Sequence, residues 1–389
     1  MKHQIKIGIE KFLEEDNLTG QRVGLVCNQA SVNRQFMHAA DLFKEKFGNQ
    51  LTTLFGPQHG IRGDVQDNMI ETNHTIDQVT GIPIYSLYSE TREPTEEMLA
   101  AVDTLVCDLV DIGSRVYTFM YTLANCMRAA GRLGKKIIVC DRPNPINGID
   151  FEGSLLNPEY ASFVGQFPIP MRHGLTIGEL ALLFQTQFGI GCELEIIKMD
   201  DWQRELWIDE TDTAWVMPSP NMPTIDTAAV FPGTVFFEGT QVSEGRGTTR
   251  PFEIIGAPYI NAQELALRMN ALKLPGVYFR ASYFLPTFQK HFQKNCGGVQ
   301  IHVLDRRKFK PVITGIALVQ AIYQMYPNEF KWKEPPYEYV FDRNPFDVIA
   351  GGTIIREQIE NNVSIDKIEE SWQSDHENFR KSREKVLLY

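Results

Sequence analysis

Five short apolar runs recur in the first 140 residues, and the segments between them change period. This alternation limits the folds open to the chain. The runs are 23–27 (VGLVC), 51–55 (LTTLF), 82–87, 104–110 and 136–140 (KIIVC). Each has the length of a buried strand. Helical patterns lie between them at 36–47, 96–102 and 119–133. Pro94 and Thr95 supply a start signal for the second helix, and Gly134 a stop for the third. A βαβα rhythm of this kind predicts an α/β fold, with a largely parallel sheet covered by helices.

The rhythm breaks at residue 141. Residues 141–170 are rich in Pro, Gly and Asn, while Phe151, Tyr160, Phe163 and Phe167 favour an ordered loop. A helix resumes over 176–188, where Thr176 and Glu179 fit a capping box. An alternating edge strand follows at 193–199, then a loop at 215–224 with three prolines around Asn221. Further on, helices are expected at 262–271 and 313–325, strands at 277–283 and 299–304, and helical stretches at 349–360 and 365–386. With 389 residues the chain exceeds one typical domain. The texture changes near residue 230, which predicts one domain over 1–230 and a smaller α+β domain over 231–389.

Several function classes fall away on composition. The net charge of -11 and the lack of a long Lys/Arg block argue against a nucleic-acid partner. No apolar run reaches 18 residues, so no membrane span is expected. The first residues carry no apolar signal segment, which predicts a cytoplasmic protein, or a secreted or periplasmic one if a signal peptide has been removed. Cys27, Cys107, Cys126, Cys140, Cys192 and Cys296 are scattered without a CxxC pair and read as buried, reduced thiols. After the first strand the chain reads Asn28, Gln29, Ala30, Ser31, so the GxGxxG turn is missing, and no GxxxxGK[ST] occurs. Dinucleotide and P-loop nucleotide chemistry are disfavoured, and no cofactor is expected.

What remains is a set of polar loops at strand ends. The second strand runs into GPQHGIRGD, residues 56–64, where glycines permit tight turns beside Gln58, His59, Arg62 and Asp64. The fourth contains Asp108 and leads to Asp111, Arg115 and Tyr117. The fifth leads to Asp141, Arg142 and Asn144. Arg172 and His173 precede a helix, and Glu238, Glu244 and Arg246 share a glycine-rich stretch. Each has a plain structural reading. Asp141 and Arg142 could brace a turn, Asp108 could anchor a loop, and Arg172 and His173 could face solvent. Together they predict a cleft, because parallel strands gather their carboxyl ends on one side. Arg, Asp, Asn, His and Tyr suit a hydroxyl-rich ligand with a negative group, since arginine pairs with carboxylates. Tyr117, Phe119 and Tyr121 could form an apolar platform. A metal held by His59, Asp64 and His173 is the weaker alternative, for lack of compact ligand spacing.

These motifs, with YSLY from Tyr85, RxPT from Arg92, DIGSRVYTF from Asp111 and DRPNPING from Asp141, run on in one order. FPIPMRHGLTIGELA from Phe167, PSPNMPT from Pro218, FPGTVFFEGTQVSEGRGTTRPF from Phe231 and CGGVQIHVLD from Cys296 complete the set. Over almost its whole length the chain resembles the NamZ-like exo-β-N-acetylmuramidases, formerly catalogued as a domain of unknown function. The resemblance implies a Rossmann-like N-terminal domain and a smaller C-terminal domain that completes the cleft. It also implies release of N-acetylmuramic acid from non-reducing ends of peptidoglycan fragments, with an amino-sugar or muropeptide ligand. Arg62, Arg142, Arg172 and Arg246 become candidates for the lactyl carboxylate.

The family's first loop usually reads GPEHG, whereas this chain carries Gln58. General acid catalysis contributes roughly 10²–10⁴-fold, and an amide does not supply it. Catalytic candidates are therefore Gln58, His59, Asp111, Asp141 and Glu244, with Glu244 the favoured replacement acid. Ligand contacts are expected from Arg62, Asp64, Asp108, Arg115, Tyr117, Arg142, Asn144, Arg172, His173, Asn221, Glu238 and Arg246. The alternative is a muropeptide-binding or amino-sugar-binding protein with lost or altered catalysis.

Overall fold

The computed structural model describes residues 2–15, 18–63, 71 and 73–389. In chain order the first strands are β1 (Val23–Cys27), β2 (Leu51–Gly56), β3 (Thr75–Ile76), β4 (Pro83–Ser86), β5 (Thr104–Asp108), β6 (Lys136–Cys140), β7 (Glu152–Leu155), β8 (Pro170–Arg172) and β9 (Glu193–Ile197). Among the described residues seven of them form one sheet, ordered β3-β4-β2-β1-β5-β6-β9. Only β3 pairs antiparallel, with β4. Numbered by appearance, the parallel strands run 3-2-1-4-5-6. The order reverses between β1 and β5, where open α/β sheets leave a crevice for ligands.

Alternation along the strands explains the layers. In β5, Leu105 and Cys107 join one core while Val106 joins the other. In β6, Ile137 and Val139 oppose Ile138 and Cys140. Helices Gly8–Glu14 and Ala39–Phe47 cover one face, and Phe119–Arg132 and Ile177–Thr186 the other. Thr176 and Glu179 make the expected capping box. The expected start at residue 36 moves to Ala39, because Phe36 takes φ 61 and the His38 ring accepts the Ala40 amide. Residues 141–170 hold more structure than expected, since β7 pairs antiparallel with β8.

The later part of the chain adds β10 (Ile254–Ala257), β11 (Val277–Phe284) and β12 (Cys296–Val303), an antiparallel sheet ordered β10-β12-β11. Its core centres on helix Pro311–Met325. That helix crosses Ile225–Thr234, which the sequence did not signal. Eight consecutive residues of the latter, Thr227 to Thr234, are buried, so no amphipathic stripe exists to read, and Pro232 lies inside it. Residue 230 falls within this helix. The expected helix 349–360 splits at Gly351, φ 81, into Pro345–Ala350 and Ile354–Glu360. The stretch 365–386 breaks at Trp372. No helix among the described residues is long and apolar enough to cross a membrane.

Gly233 and Gly315 let the two central helices touch through their backbones. A Cβ on Gly233 would sit 1.8 Å from the Pro311 carbonyl oxygen, and one on Gly315 would sit 2.1 Å from that of Gly233. Backbone cannot swing aside as a side chain can. Gly233→Ala is therefore expected to lower the unfolding free energy by about 1–3 kcal/mol, the range for overpacking. A urea midpoint unchanged from the parent protein would contradict this crossing.

The chain ends by returning to the first sheet. Phe379 packs against Phe151 at 5.3 Å between ring centroids, and Arg383 donates to the carbonyls of Gly148 and Gly174. The Tyr389 hydroxyl donates to Asp141 Oδ2 at 2.7 Å and accepts the Met199 amide at 2.8 Å.

Candidate active site

The loops after β2 and β5 meet segments from the later chain around a narrow cavity of about 50 Å³. Gln58 and His59 enter from the first loop, and Tyr117, Thr118 and Phe119 from the second. Ser219, Asn221 and Met222 come from the proline-rich stretch, and Glu238 and Arg246 from the glycine-rich one. Phe231 and Phe252 add apolar wall, and Tyr337 and Glu338 close the far side. Amide, carboxyl, guanidinium and aromatic groups converge on it, the mixture that orients a polar ligand.

Gln58 is held from both sides. Its Oε1 accepts the Thr118 hydroxyl at 2.8 Å, and its Nε2 donates to Glu338 Oε1 at 3.4 Å. Tyr88, from the YSLY motif, donates its hydroxyl to Glu338 Oε2 at 2.7 Å. Burial pushes the Glu338 carboxyl above the usual range. The nearby Glu238 charge adds to that, while the Tyr88 and Gln58 hydrogen bonds oppose it. Glu238 pairs with Arg246 at 2.7 Å and accepts the Tyr337 hydroxyl at 2.7 Å. Burial, then Glu238, keep that hydroxyl well above the ordinary tyrosine range, so it remains a donor. Arg246 also lies 5.1 Å over the Phe252 ring.

His59, Glu338 and Tyr339 adopt φ 71, 44 and 68. Left-handed backbone at non-glycine residues costs about 1–3 kcal/mol each and clusters at functional sites. Around Glu338, the Arg92 guanidinium lies 4.2 Å from the Tyr88 ring centroid and 4.7 Å from that of Tyr339. This stack braces the turn that presents the carboxyl.

Of the sequence candidates, Gln58, His59, Tyr117, Asn221, Glu238 and Arg246 line this cavity. Asp64 lies outside the described residues. The others are placed elsewhere, and their polar atoms hold the fold. Arg142 grips both oxygens of Asp108 at 2.5 and 2.7 Å, with both groups buried. Its partner is thus Asp108, not the adjacent Asp141. Asp141 accepts the Arg142 and Gly178 amides and the Thr176 and Tyr389 hydroxyls. Burial, then the Glu179 charge, push its carboxyl up to about 7.

Arg115 donates to four carbonyls, those of Ser154, Ile169, Ile349 and Ala350, and ties the second loop to the later helices. Asn144 donates to the Leu175 carbonyl and accepts the Ile146 amide. Arg172 is buried, donating to the Ile146 carbonyl and pairing with Asp150, so it does not face solvent. Asp111 accepts the Gly113 amide and meets buried His173 at 3.2 Å. His173 Nδ1 accepts the Leu175 amide, which leaves Nε2 to donate to Asp111. Arg62 is shared between Asp77 and Asp41 and borders a second, more open depression.

Glu244, the favoured replacement acid, stands behind Arg246. It pairs with Lys290 at 2.8 Å and with Arg246 at 3.9 Å. Burial alone would raise its carboxyl, but Lys290 and Arg246 outweigh it and hold the group below the usual range. A carboxylate stabilised in its charged form is a poor proton donor at neutral pH.

Comparison with known proteins decides the family. Residues 23–226 match the model of the N-terminal part of the exo-β-N-acetylmuramidase NamZ, and residues 229–389 that of its C-terminal part. The chain is 46% identical to the peptidoglycan β-N-acetylmuramidase NamZ of Bacillus subtilis strain 168, over 100% of this chain and 92% of that protein. The chain belongs to the NamZ family. Two solved DUF1343-family structures from Bacteroides fragilis NCTC 9343 share its fold. One has TM-score 0.89 and 35% identity over 100% of both chains, the other TM-score 0.78 and 27% identity over 99% of both. Membership supports glycosidase activity of the muramidase kind.

Within this NamZ-family chain, sequence reasoning missed Glu338 and Tyr337, and quoted Tyr88 without giving it a role. Their signal was the run Pro335-Pro336-Tyr337-Glu338-Tyr339, an acid between two tyrosines in a proline-anchored turn. It lies 280 residues beyond Gln58 and outside every strand-end loop considered.

Proposed function

We propose that this chain is an exo-acting glycoside hydrolase that releases N-acetylmuramic acid from the non-reducing ends of peptidoglycan fragments. One observation carries the reading. The cavity at the strand ends combines two buried carboxyl groups, Glu238 and Glu338, with one guanidinium, Arg246, and aromatic walls. Glycoside hydrolysis draws on paired carboxyl groups in different protonation states. Of the four arginines considered for the lactyl carboxylate, Arg246 alone borders this cavity among the described residues. The strand order supports a Rossmann-like N-terminal part, and the segment 231–389 contributes the walls that complete the cleft.

Gln58 favours a second reading, in which the cavity binds the sugar with lost or altered turnover. A β-linked nitrophenyl N-acetylmuramide separates the two. The hydrolase reading expects release of nitrophenol and free N-acetylmuramic acid. Calorimetric binding without turnover at high protein concentration would favour the second. Neither binding nor turnover would sink both.

A further inference from the structure

We propose that Glu338 is the general acid of this chain, delivering the proton to the glycosidic oxygen from the position beside Gln58. The assignment rests on the hydrolase reading above and adds a residue to it.

Three carboxyl groups crowd this region, and their partners differ. Glu238 is paired with Arg246, and Glu244 with Lys290 and Arg246. Glu338 makes no ion pair among the described residues. Its two hydrogen-bond donors, Tyr88 and Gln58, are both neutral. It is 3% exposed yet borders the cavity. A buried carboxyl group with no ion-pair partner favours its protonated form, and the Glu238 charge favours it further, against the opposing charge of Arg246. One carboxyl group paired with an arginine, beside one that has no ion-pair partner, is the arrangement that divides roles in a glycosidase.

The amide at Gln58 fits this division. A glutamate there would bring another charge against Glu338 at hydrogen-bond distance. The amide, oriented by Thr118, instead offers an N–H to Glu338 and no charge. Gln58 is thus a positioning residue, and the strained backbone at Glu338 and Tyr339 fixes the carboxyl in the wall.

The chemistry balances with water as the only co-reactant. The Glu338 carboxyl transfers its proton to the glycosidic oxygen while the bond from that oxygen to C1 breaks. The bonding pair stays on the oxygen, and the leaving sugar departs as an alcohol. Water oxygen then bonds to C1, and one of its protons returns to the Glu338 carboxylate.

The test compares Glu338→Gln with the parent protein on two substrates. One is the nitrophenyl β-N-acetylmuramide, whose leaving group needs little protonation. The other is a β-1,4-linked disaccharide of N-acetylmuramic acid and N-acetylglucosamine, whose alcohol leaving group needs it. The expected result is a fall in kcat/KM of about 10²–10⁴-fold on the disaccharide, with a change of less than about tenfold on the aryl substrate. The fall in rate at alkaline pH should vanish in the variant, since an acid catalyst is lost as pH rises through its pKa. Equal losses on both substrates, or none, would overturn the assignment while leaving the hydrolase reading intact. A parent protein inactive on both substrates would sink that reading and the assignment with it. Glutamine can still accept from Tyr88, so the fold should hold. If its melting temperature falls sharply, Glu338→Asp reads the same substrate ratio, and an unchanged ratio there counts against the assignment.

Discussion

Arg142→Ala is expected to lower the unfolding free energy by about 3–5 kcal/mol, the usual cost of breaking one side of a buried ion pair. The loss would come less from the attraction removed than from the charge left behind. Asp108 ends β5 with its side chain fully buried, and two Arg142 nitrogens meet its two oxygens. Arg142 also donates to the Val32 carbonyl at 3.0 Å. Without the guanidinium, a carboxylate and a carbonyl lose their donors in a dry site. The double variant Asp108→Leu with Arg142→Met, which removes both charges, should recover much of the loss. Urea denaturation of the three proteins gives the comparison. A single-variant loss below about 1 kcal/mol would mean that water reaches Asp108.

The second large effect concerns pH. The Asp141 carboxyl is pushed up to about 7 from an ordinary 3.8, first by burial and then by the Glu179 charge. A raised acid binds its proton more tightly in the folded than in the unfolded chain. Its stabilising contribution is complete below about pH 4 and is lost as pH rises through about 7. Three pKa units correspond to about 4 kcal/mol, and roughly 2–3 kcal/mol of that falls between pH 5 and 8. Glu152, which accepts the Val312 and Ile313 amides, is pushed up to about 7 by burial and acts in the same window. His38, His291, His302 and His376 are pushed down, chiefly by burial, and oppose the trend on acidification. The informative quantity is therefore the difference between the parent and Asp141→Asn. Relative to that variant, the parent should gain stability as the buffer goes from pH 8 to pH 5. A pH-independent difference would show that Asp141 is not held in a proton-retaining site.

The parallel sheet was legible because strands buried on both faces leave short continuous apolar runs, bounded by turn residues, in the primary structure. The capping box at Thr176 was legible because its partners are three residues apart. Part of the cavity was legible for a geometric reason, since strand-end loops must converge and those of Gln58 and Tyr117 do, whereas Glu238 and Arg246 reach it from the segment after helix Ile225–Thr234. The rest fails at one point. A charged side chain in a glycine-rich or proline-rich loop reads the same whether it faces a ligand or spans the interior. Arg115, Asp141 and Asn144 spend their polar atoms on backbone and neighbouring side chains, as buried polar groups must. Helix Ile225–Thr234 was hidden by its own burial, because a helix enclosed on all sides has no polar face to set its period. Glu338 was hidden by sequence distance, reaching Gln58 across 280 residues.

The hydroxyl of Tyr389 reaches an aspartate 248 positions earlier in the chain. During synthesis on the ribosome, the first sheet can therefore assemble its strands well before Asp141 receives its last donor. Phe379 and Arg383 arrive in the same late interval. Until then Arg204 serves the Gly148 and Gly174 carbonyls, and Asp141 has the Arg142 and Gly178 amides and the Thr176 hydroxyl. Maturation would occur in two stages, with residues 379–389 fastening the sheet after its strands have formed.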